Sequence, residues 1–354
     1  MEFTLPPVAV IIVGYRNSHD IADCITALSR ALPEPEFDVF ICENGGREAY
    51  QKLIADLSYP QGPCTIGPLD PSAPLIPPTD LLAETRFLFV KQRSSRVWAA
   101  CAVRNLGYAG AINAWIKRLQ HIPSWDGVWI LNPDTVPDPD ALAALAAYAK
   151  TGNKGMIGST ILPYPNRSRI HCRGGLHWSK FTARTVIVGY NDPLDSTPNV
   201  ADVEARMDGP SGTSIYVTRA CIDRIGLMDE RFFLYYEDLD WGMRAKRCGL
   251  LGYANASIVQ HKGGTTIGSA KTRSDRSPLS VYLENRNRLH FVRIHCPGCL
   301  AWISTLSFAY ALEYLIVRSP GNFFAAIQGV LAGLKKETGA SRLYGELQRR
   351  QASR

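Results

Sequence analysis

The chain has 354 residues, 46% hydrophobic and 20% charged, enough for one large core or two medium ones and too apolar for wholesale disorder. The net charge of +7 is modest, and its late concentration in residues 271–293 and 335–354 suits an anionic membrane surface or phosphate-bearing ligands. The aromatic-interleaved basic platform that single-stranded nucleic acid prefers is lacking, so no nucleic-acid partner is expected.

The nine cysteines are scattered and odd in number, which implies free thiols in a reducing compartment. Cys296 and Cys299 form the one close pair, with His290 and His295 just before them; zinc there would need four well-placed ligands. Residues 1–7 lack the basic region of a signal peptide, and the apolar run Val8–Val13 is too short for one. A cytoplasmic location is expected.

That run, Val8-Ala-Val-Ile-Ile-Val13, is continuous and β-branched, the pattern of a buried parallel strand, and Tyr15 and Arg16 follow it in a loop. Ile21, Cys24, Ile25 and Leu28 fall at helical spacing, with Pro33 expected to close the helix. Phe37–Cys42 reads as the next strand, broken by Glu43-Asn-Gly-Gly46. Strand, helix, strand opens a doubly wound α/β sheet, in which ligands bind beyond the carboxyl ends of the strands. Polar loop residues without a ligand are the alternative for Tyr15, Arg16 and Glu43.

Prolines recur from 60 to 78, so residues 59–80 are expected to be an irregular insertion. Phe87–Val90 resumes as a strand, and Arg104-Asn-Leu-Gly-Tyr-Ala-Gly-Ala-Ile-Asn113 leads into a helix. Its glycines at 107 and 110 allow close backbone approach to a ligand, although the spacing matches neither a Walker loop nor a GxGxxG fingerprint. Gly127–Leu131 is another buried strand, and Asn132-Pro133 leaves Asp134 in a turn just past its tip. A carboxylate there either holds Mg²⁺ or Mn²⁺ or simply forms the turn. A helix at 141–150, a strand at 156–162, a short helix at 219–225 and a strand ending at His261 follow, while residues 163–202 stay unassigned.

The segment Phe232-Phe-Leu-Tyr-Tyr-Glu-Asp-Leu-Asp-Trp241 sets four aromatics and a leucine against Glu237, Asp238 and Asp240. Carboxylates beside so apolar a run need a cation or donors to offset their desolvation. A helix from about Trp241 to Cys248 would place Asp238 near its N-terminus, where the dipole keeps it ionised and fit for a general base. A surface N-capping cluster is the alternative. After Pro278 the chain reads as a basic amphipathic helix at 282–294 carrying Arg286, Arg288 and Arg293, then apolar stretches at 299–317 and 323–334. These stretches suit helices lying in a membrane interface; burial against the catalytic domain or a second subunit, or a true span, are the alternatives.

Residues 8–17, 41–46, 104–113, 131–135, 226–240 and His261 resemble, in order, the successive motifs of family 2 glycosyltransferases, most nearly the bacterial rhamnosyltransferase-like branch. The resemblance covers residues 6 to 295 with gaps in the proline-rich insertion and around 163–202. It implies a GT-A fold, a Rossmann-like nucleotide-binding sheet fused to an acceptor half, over residues 1–270, with residues 278–354 as a C-terminal helical region. It also implies transfer of a sugar, with inversion, from a nucleoside diphosphate sugar with a divalent ion, Mn²⁺ or Mg²⁺. By position Asp134 resembles the metal carboxylate of a DxD-type motif, reduced here to Asn132-Pro133-Asp134, and His261 a further metal ligand. Tyr15, Arg16, Glu43, Arg104, Asn105, Gly107, Asn132 and Asp134 are the implied donor-binding set, with Glu43 where aspartate is usual. Asp238, beside Glu237, corresponds to the general base.

The expected function is inverting, metal-dependent transfer from dTDP-rhamnose or a UDP-sugar to a lipid-linked saccharide in surface polysaccharide synthesis. The site of action would be the cytoplasmic membrane surface, with peripheral attachment and a homodimer as a further option. A non-catalytic nucleotide-sugar-binding scaffold is the alternative. A nucleotidyltransferase would need a basic phosphate loop near residue 14, and Gly14-Tyr-Arg-Asn17 supplies none.

Overall fold

Alternation of side chains along two buried strands organises the molecule. In β1 (Val8–Gly14) and β2 (Phe37–Glu43), Ile11 and Phe40 point to one face of the sheet, and Val10 and Val39 to the other. The computed structural model describes residues 6–67, 80–122, 124–263 and 272–340. Helices α1 (Ser18–Leu28) and α2 (Arg47–Ser58) cover one face, while α3 (Gly107–Leu119) covers the other with Trp115 at its centre. Each large side chain so buried contributes about 1.5–3 kcal/mol.

Two of these elements differ from expectation. α1 ends at Leu28, well before Pro33, because residues 29–31 close it with turn hydrogen bonds. α2 and the strand over Arg96–Ala102 were not anticipated. β3 (Cys64–Thr65) lies inside the proline-rich stretch and pairs with β4 (Leu82–Val90), so regular structure does enter that insertion; residues 68–79 lie outside the described residues. β4 pairs antiparallel with β5 (Arg96–Ala102), which runs parallel to β2.

The sheet continues through β6 (Gly127–Leu131), parallel to β1, and β7 (Thr135–Pro137) at the far edge; α4 (Ala141–Thr151), β8 (Met156–Pro163) and β9 (Cys172–Arg173) follow. β10 (Gly175–Trp178), β11 (Thr185–Ile187), α5 (Val200–Arg206) and β12 (Gly209–Pro210) occupy the stretch around 163–210, and the three strands form a small separate sheet. Next come β13 (Ser214–Thr218), α6 (Arg219–Ile225), α7 (Glu237–Arg247) and β14 (Leu251–His261). The main sheet runs β3-β4-β5-β2-β1-β6-β13-β8-β14-β7, parallel where nucleotide-binding sheets are parallel and mixed beyond β6.

Three C-terminal helices follow among the described residues: α8 (Pro278–His295), α9 (Leu300–Ile316) and α10 (Pro320–Leu334). α8 is not the amphipathic helix its sequence suggests. Arg286 and Arg288 are 1% and 5% exposed, because Arg286 donates to the carbonyls of Phe232 and Gly339 and Arg288 pairs with Glu284. Backbone carbonyls take the Arg286 donors and the half-buried Glu284 pairs with Arg288, and the helix between them is buried along almost its whole length. Cys296 and Cys299 are disulfide-bonded rather than free, while Cys24, Cys42, Cys64, Cys101, Cys172, Cys221 and Cys248 are free as expected.

Candidate active site

The carboxyl ends of β1, β2 and β6 converge on a cavity of about 320 Å³. Tyr15, Asn44, Asn105, Tyr108 and Asn132 line it from the strand-end loops and α3, and Glu237 and Asp238 from the acidic stretch. This is where doubly wound sheets place ligands.

Glu43, Arg16 and Arg104 are not among its lining residues. Glu43 is fully buried beneath the loops: its Oε1 accepts from the backbone N–H of Arg16 at 3.0 Å and of Gly45 at 2.7 Å, and burial pushes its carboxyl up. Arg16 is exposed, in left-handed backbone at φ 58°, and Arg104 is exposed. The next residue, Asn44, reaches the cavity, donating to Gly107 O at 3.0 Å and accepting from Leu106 N at 3.1 Å, and so it anchors the start of α3. Asn105 accepts from Gly107 N at 2.8 Å. Gly107 is required: its φ is +72°, and a Cβ there would collide with the Phe233 carbonyl. That same carbonyl accepts from Tyr108 N at 2.7 Å, which joins α3 to the acidic stretch.

The acidic stretch is strained. Phe233, Tyr235 and Tyr236 have φ of 66°, 73° and 75°, a conformation that costs about 1–3 kcal/mol for each such residue. Asn287 of α8 compensates, with its buried amide nitrogen within 2.9 Å of the carbonyls of Phe232, Leu234 and Tyr235. The helix α7 therefore starts at Glu237, earlier than Trp241, with Glu237, Asp238 and Asp240 all in its first turn.

These three acids have different environments. Asp240 is occupied, paired with Arg244 at 2.9 Å and with His295 at 2.8 Å, and takes no part in the cleft. Asp238 accepts from Leu239 N at 2.8 Å, yet burial outweighs that bond and holds its pKa above the usual carboxylate range. Burial, and then the Asp238 charge, raise Glu237 further, and its Oε2 is buried without a hydrogen-bond partner among the described residues. The helix dipole thus does not dominate as expected; desolvation does. Gly212 faces the Asp238 carboxylate, and a Cβ there would come within 2.7 Å of Oδ2.

Asp134 is fully buried behind Asn132 and Pro133, and its Oδ1 lies 3.2 Å from His261 Nε2. The pairing of β7 with β14 sets this contact, with Thr135 opposite His261. Tyr108 stands between the two acid groups: its Oη is 3.1 Å from both Asn132 Oδ1 and Gly212 O. Burial raises its phenol, and the charges of Asp238, Glu237 and Asp134 push it the same way. Glu237 and Asp238 line the cleft together with Tyr108; Asp134 and His261 are not among its lining residues, and Asp134 lies beneath it, close enough for its charge to act on Tyr108. Among the described residues no group of three or more His, Cys, Asp or Glu side chains is placed to hold a metal; Asp134 and His261 are a pair. Asn44, Tyr108, Gly212 and Asn287 were not anticipated, and only Asn44 and Tyr108 fell inside recognisable motifs.

Residues 85–289, more than half the chain, match the profile described as glycosyltransferase like family 2. The chain belongs to that family. It is 28% identical over 185 residues to the N-acetylglucosaminyl-diphospho-decaprenol L-rhamnosyltransferase of Mycobacterium tuberculosis, a match over 46% of this chain and 58% of that protein. It is 25% identical over 186 residues to the low-salt glycan biosynthesis hexosyltransferase Agl10 of Haloferax volcanii, over 52% of this chain and 56% of that one. In each case the match spans less than two thirds of the relative's length. The structure of GalNAc-T7 with UDP, GalNAc and Mn²⁺ superposes with a TM-score of 0.57 at 13% identity, over 86% of this chain and 51% of that one. That likeness is one of fold, and the fold is GT-A, as the motifs implied.

Proposed function

We propose that this family 2 protein is an inverting glycosyltransferase, moving a sugar from a nucleoside diphosphate sugar, dTDP-rhamnose or a UDP-sugar, to a lipid-linked saccharide. The observation that carries this reading is Asp238, half-buried beside the buried Glu237 and with a raised pKa, in a cleft that it lines together with the strand-end residues Tyr15, Asn44 and Asn132. A base of raised pKa accepts a hydroxyl proton more readily than an ordinary carboxylate does.

In the reaction Asp238 takes the proton of an acceptor hydroxyl as that oxygen bonds to the sugar C1. The C1–O bond to the diphosphate breaks, and its electron pair leaves with the diphosphate. Inversion requires that the hydroxyl held by Asp238 reach C1 from the face opposite the departing diphosphate. Tyr108 holds Asn132 and the Gly212 turn in register. Asn105 and Gly107 bring backbone close to the donor at the start of α3.

The contacting carboxylate and imidazole of Asp134 and His261 fit a hard divalent ion, Mn²⁺ or Mg²⁺, whose remaining sites water and phosphate would fill. Such an ion, when bound, would neutralise charge on the departing diphosphate. Asp238→Asn tests the assignment: transfer should be lost while nucleotide binding survives, and retained turnover would remove Asp238 from the base role.

Helices α9 and α10 carry exposed apolar residues, Trp302, Leu312, Ile316, Phe324 and Leu331 among them. The 20-residue stretch Pro297–Ile316 is long and apolar enough to cross a membrane, but Ile303, Ala311 and Tyr314 are packed inside the protein. We read this face as lying on the cytoplasmic surface of the inner membrane. Co-sedimentation with anionic vesicles should be lost in Trp302→Glu/Ile316→Glu; a monomer–dimer shift in its place would make the face a subunit interface.

A further inference from the structure

Tyr235 lines the catalytic cleft, and its neighbour Tyr236 lines a second cavity, of about 180 Å³, between the β10–β11 turn and helices α8 and α9. Four arginines line this cavity: Arg184, Arg273, Arg276 and Arg288. Among the described residues two acids meet them. Glu284 pairs with Arg276 and Arg288, and Glu313 with Arg184 and Arg273. Guanidinium charge therefore exceeds carboxylate charge in a partly desolvated space.

The donors are also incompletely used. Arg288 is 5% exposed, and its Nε, like that of Arg276, is buried with no hydrogen-bond acceptor among the described residues. The guanidinium carbons of Arg184 and Arg288 lie 3.8 Å and 5.5 Å from the ring centre of Tyr310, which fixes their planes and directs their N–H edges sideways. Several guanidiniums held rigid with unmatched positive charge are suited to a phosphate or diphosphate group, whose oxygens accept from two forks at once.

The surroundings select the kind of molecule that carries this phosphate. Phe181, 70% exposed, tips the β10–β11 turn and accepts through its carbonyl from Trp302 Nε1 at 2.8 Å, so two exposed aromatics stand side by side near the cavity. Tyr310 reaches the same turn, 3.2 Å from Thr182 O. An anion-binding cavity beside exposed aromatics suits an anionic head on a lipid tail. We propose that the Arg184–Arg273–Arg276–Arg288 cavity binds the phosphate or diphosphate of a lipid-linked acceptor and thereby presents the acceptor's sugar to Asp238. The acceptor assignment rests on the transferase reading above; anion binding by the cavity does not.

The test has two arms. In the first, the full chain is titrated calorimetrically with inorganic diphosphate, in EDTA and with saturating UDP and dTDP so that the donor site is filled. The wild type should bind, and Arg184→Gln/Arg273→Gln should bind at least about tenfold more weakly, the loss of one or two charged hydrogen bonds. Arg184→Lys/Arg273→Lys should recover part of the affinity. Equal binding by wild type and Gln variant, or none by the wild type, overturns the site. Both altered side chains are more than 40% exposed, and an unchanged thermal midpoint would show that the variant is folded.

In the second arm, transfer is measured to a saccharide on a lipid diphosphate and to the same saccharide on a neutral alkyl chain. The Gln variant should raise KM about tenfold for the first acceptor only, with kcat and donor hydrolysis kept. An equal KM for both acceptors in the wild type, together with inhibition by inorganic diphosphate, would overturn the acceptor assignment in favour of a free anion. Absence of donor hydrolysis in the wild type would sink the transferase reading, and the calorimetric arm would still decide the cavity.

Discussion

The two walls of the cleft are held in different ways. The sheet-side wall consists of loops at the ends of parallel strands, tied by contacts between neighbouring loops: Glu43 to Arg16 and Gly45, Asn44 to Leu106 and Gly107. The acidic wall has left-handed backbone at Phe233, Tyr235 and Tyr236 and is fastened by Asn287 and Arg286, which come some fifty residues later in the chain. One wall is secured by the α/β sheet that forms it, and the other by a helix outside that sheet. The C-terminal helices thus belong to the active site as much as the strands do, whatever else they bind.

If the walls divide the labour this way, variants on each should fail differently. The largest effect is expected for Asp238→Asn, where kcat should fall by about 10²–10⁴ with nucleotide affinity unchanged by calorimetry. The pH profile should agree. Because burial raises the pKa of Asp238, kcat/KM should climb with pH through a limb lying above the usual carboxylate range, and a limb at the ordinary value would contradict that burial. Beneath the sheet-side loops, Asp134→Ala should weaken donor binding in the presence of Mn²⁺ by about 10–100-fold and leave binding in EDTA unchanged. Metal dependence that survives the substitution would dissociate Asp134 from the ion.

A smaller effect, and a sharper one for the comparison, is expected from Asn287→Ala. Three carbonyls of a strained segment lose a buried donor, so the fold should lose about 1–3 kcal/mol by chemical denaturation. Turnover should fall about tenfold as the acidic segment relaxes, with donor affinity intact. Parallel loss of donor affinity would mean that the walls are mechanically one unit.

The same contrast governs what could be read from sequence. β1, β2 and β6 were legible because continuous buried runs such as Val8–Val13 admit few other structures, and Asp238 stood out as a cleft candidate because it follows a hydrophobic run. β5 was not, since Ala99, Ala100 and Ala102 carry little strand preference and its burial comes from β2 and β4 on either side. α8 misled for the opposite reason: Arg286 and Arg288 look like a solvated face, and only the carbonyls and acids brought to them by the fold make them interior. Asn287 is invisible as a functional residue in a linear reading. Glu43 and Asn44 show how fine the limit is, because a single step at the end of β2 decides which side chain enters the cavity and which turns beneath it.

That step yields the smallest predicted effect. Glu43, fully buried, and Asp238, half-buried, both have a raised pKa, but only Asp238 lines the cleft. A folded-state pKa above the unfolded value means that the folded protein holds the proton longer, so stability declines as pH rises from about 4.5 through the folded pKa and stays reduced above it. Glu43→Gln keeps an oxygen for the N–H groups of Arg16 and Gly45, removes the buried charge, and exchanges one unpartnered atom, Oε2, for another. The variant should therefore gain up to about 1 kcal/mol at neutral pH and lose part of the decline in stability above pH 4.5, measured by denaturant unfolding across pH. Its kcat/KM profile should keep the wild-type acid limb. If that limb moves with Glu43, then Glu43 contributes to the catalytic ionisation, and the sheet-side wall is more than a scaffold for the donor.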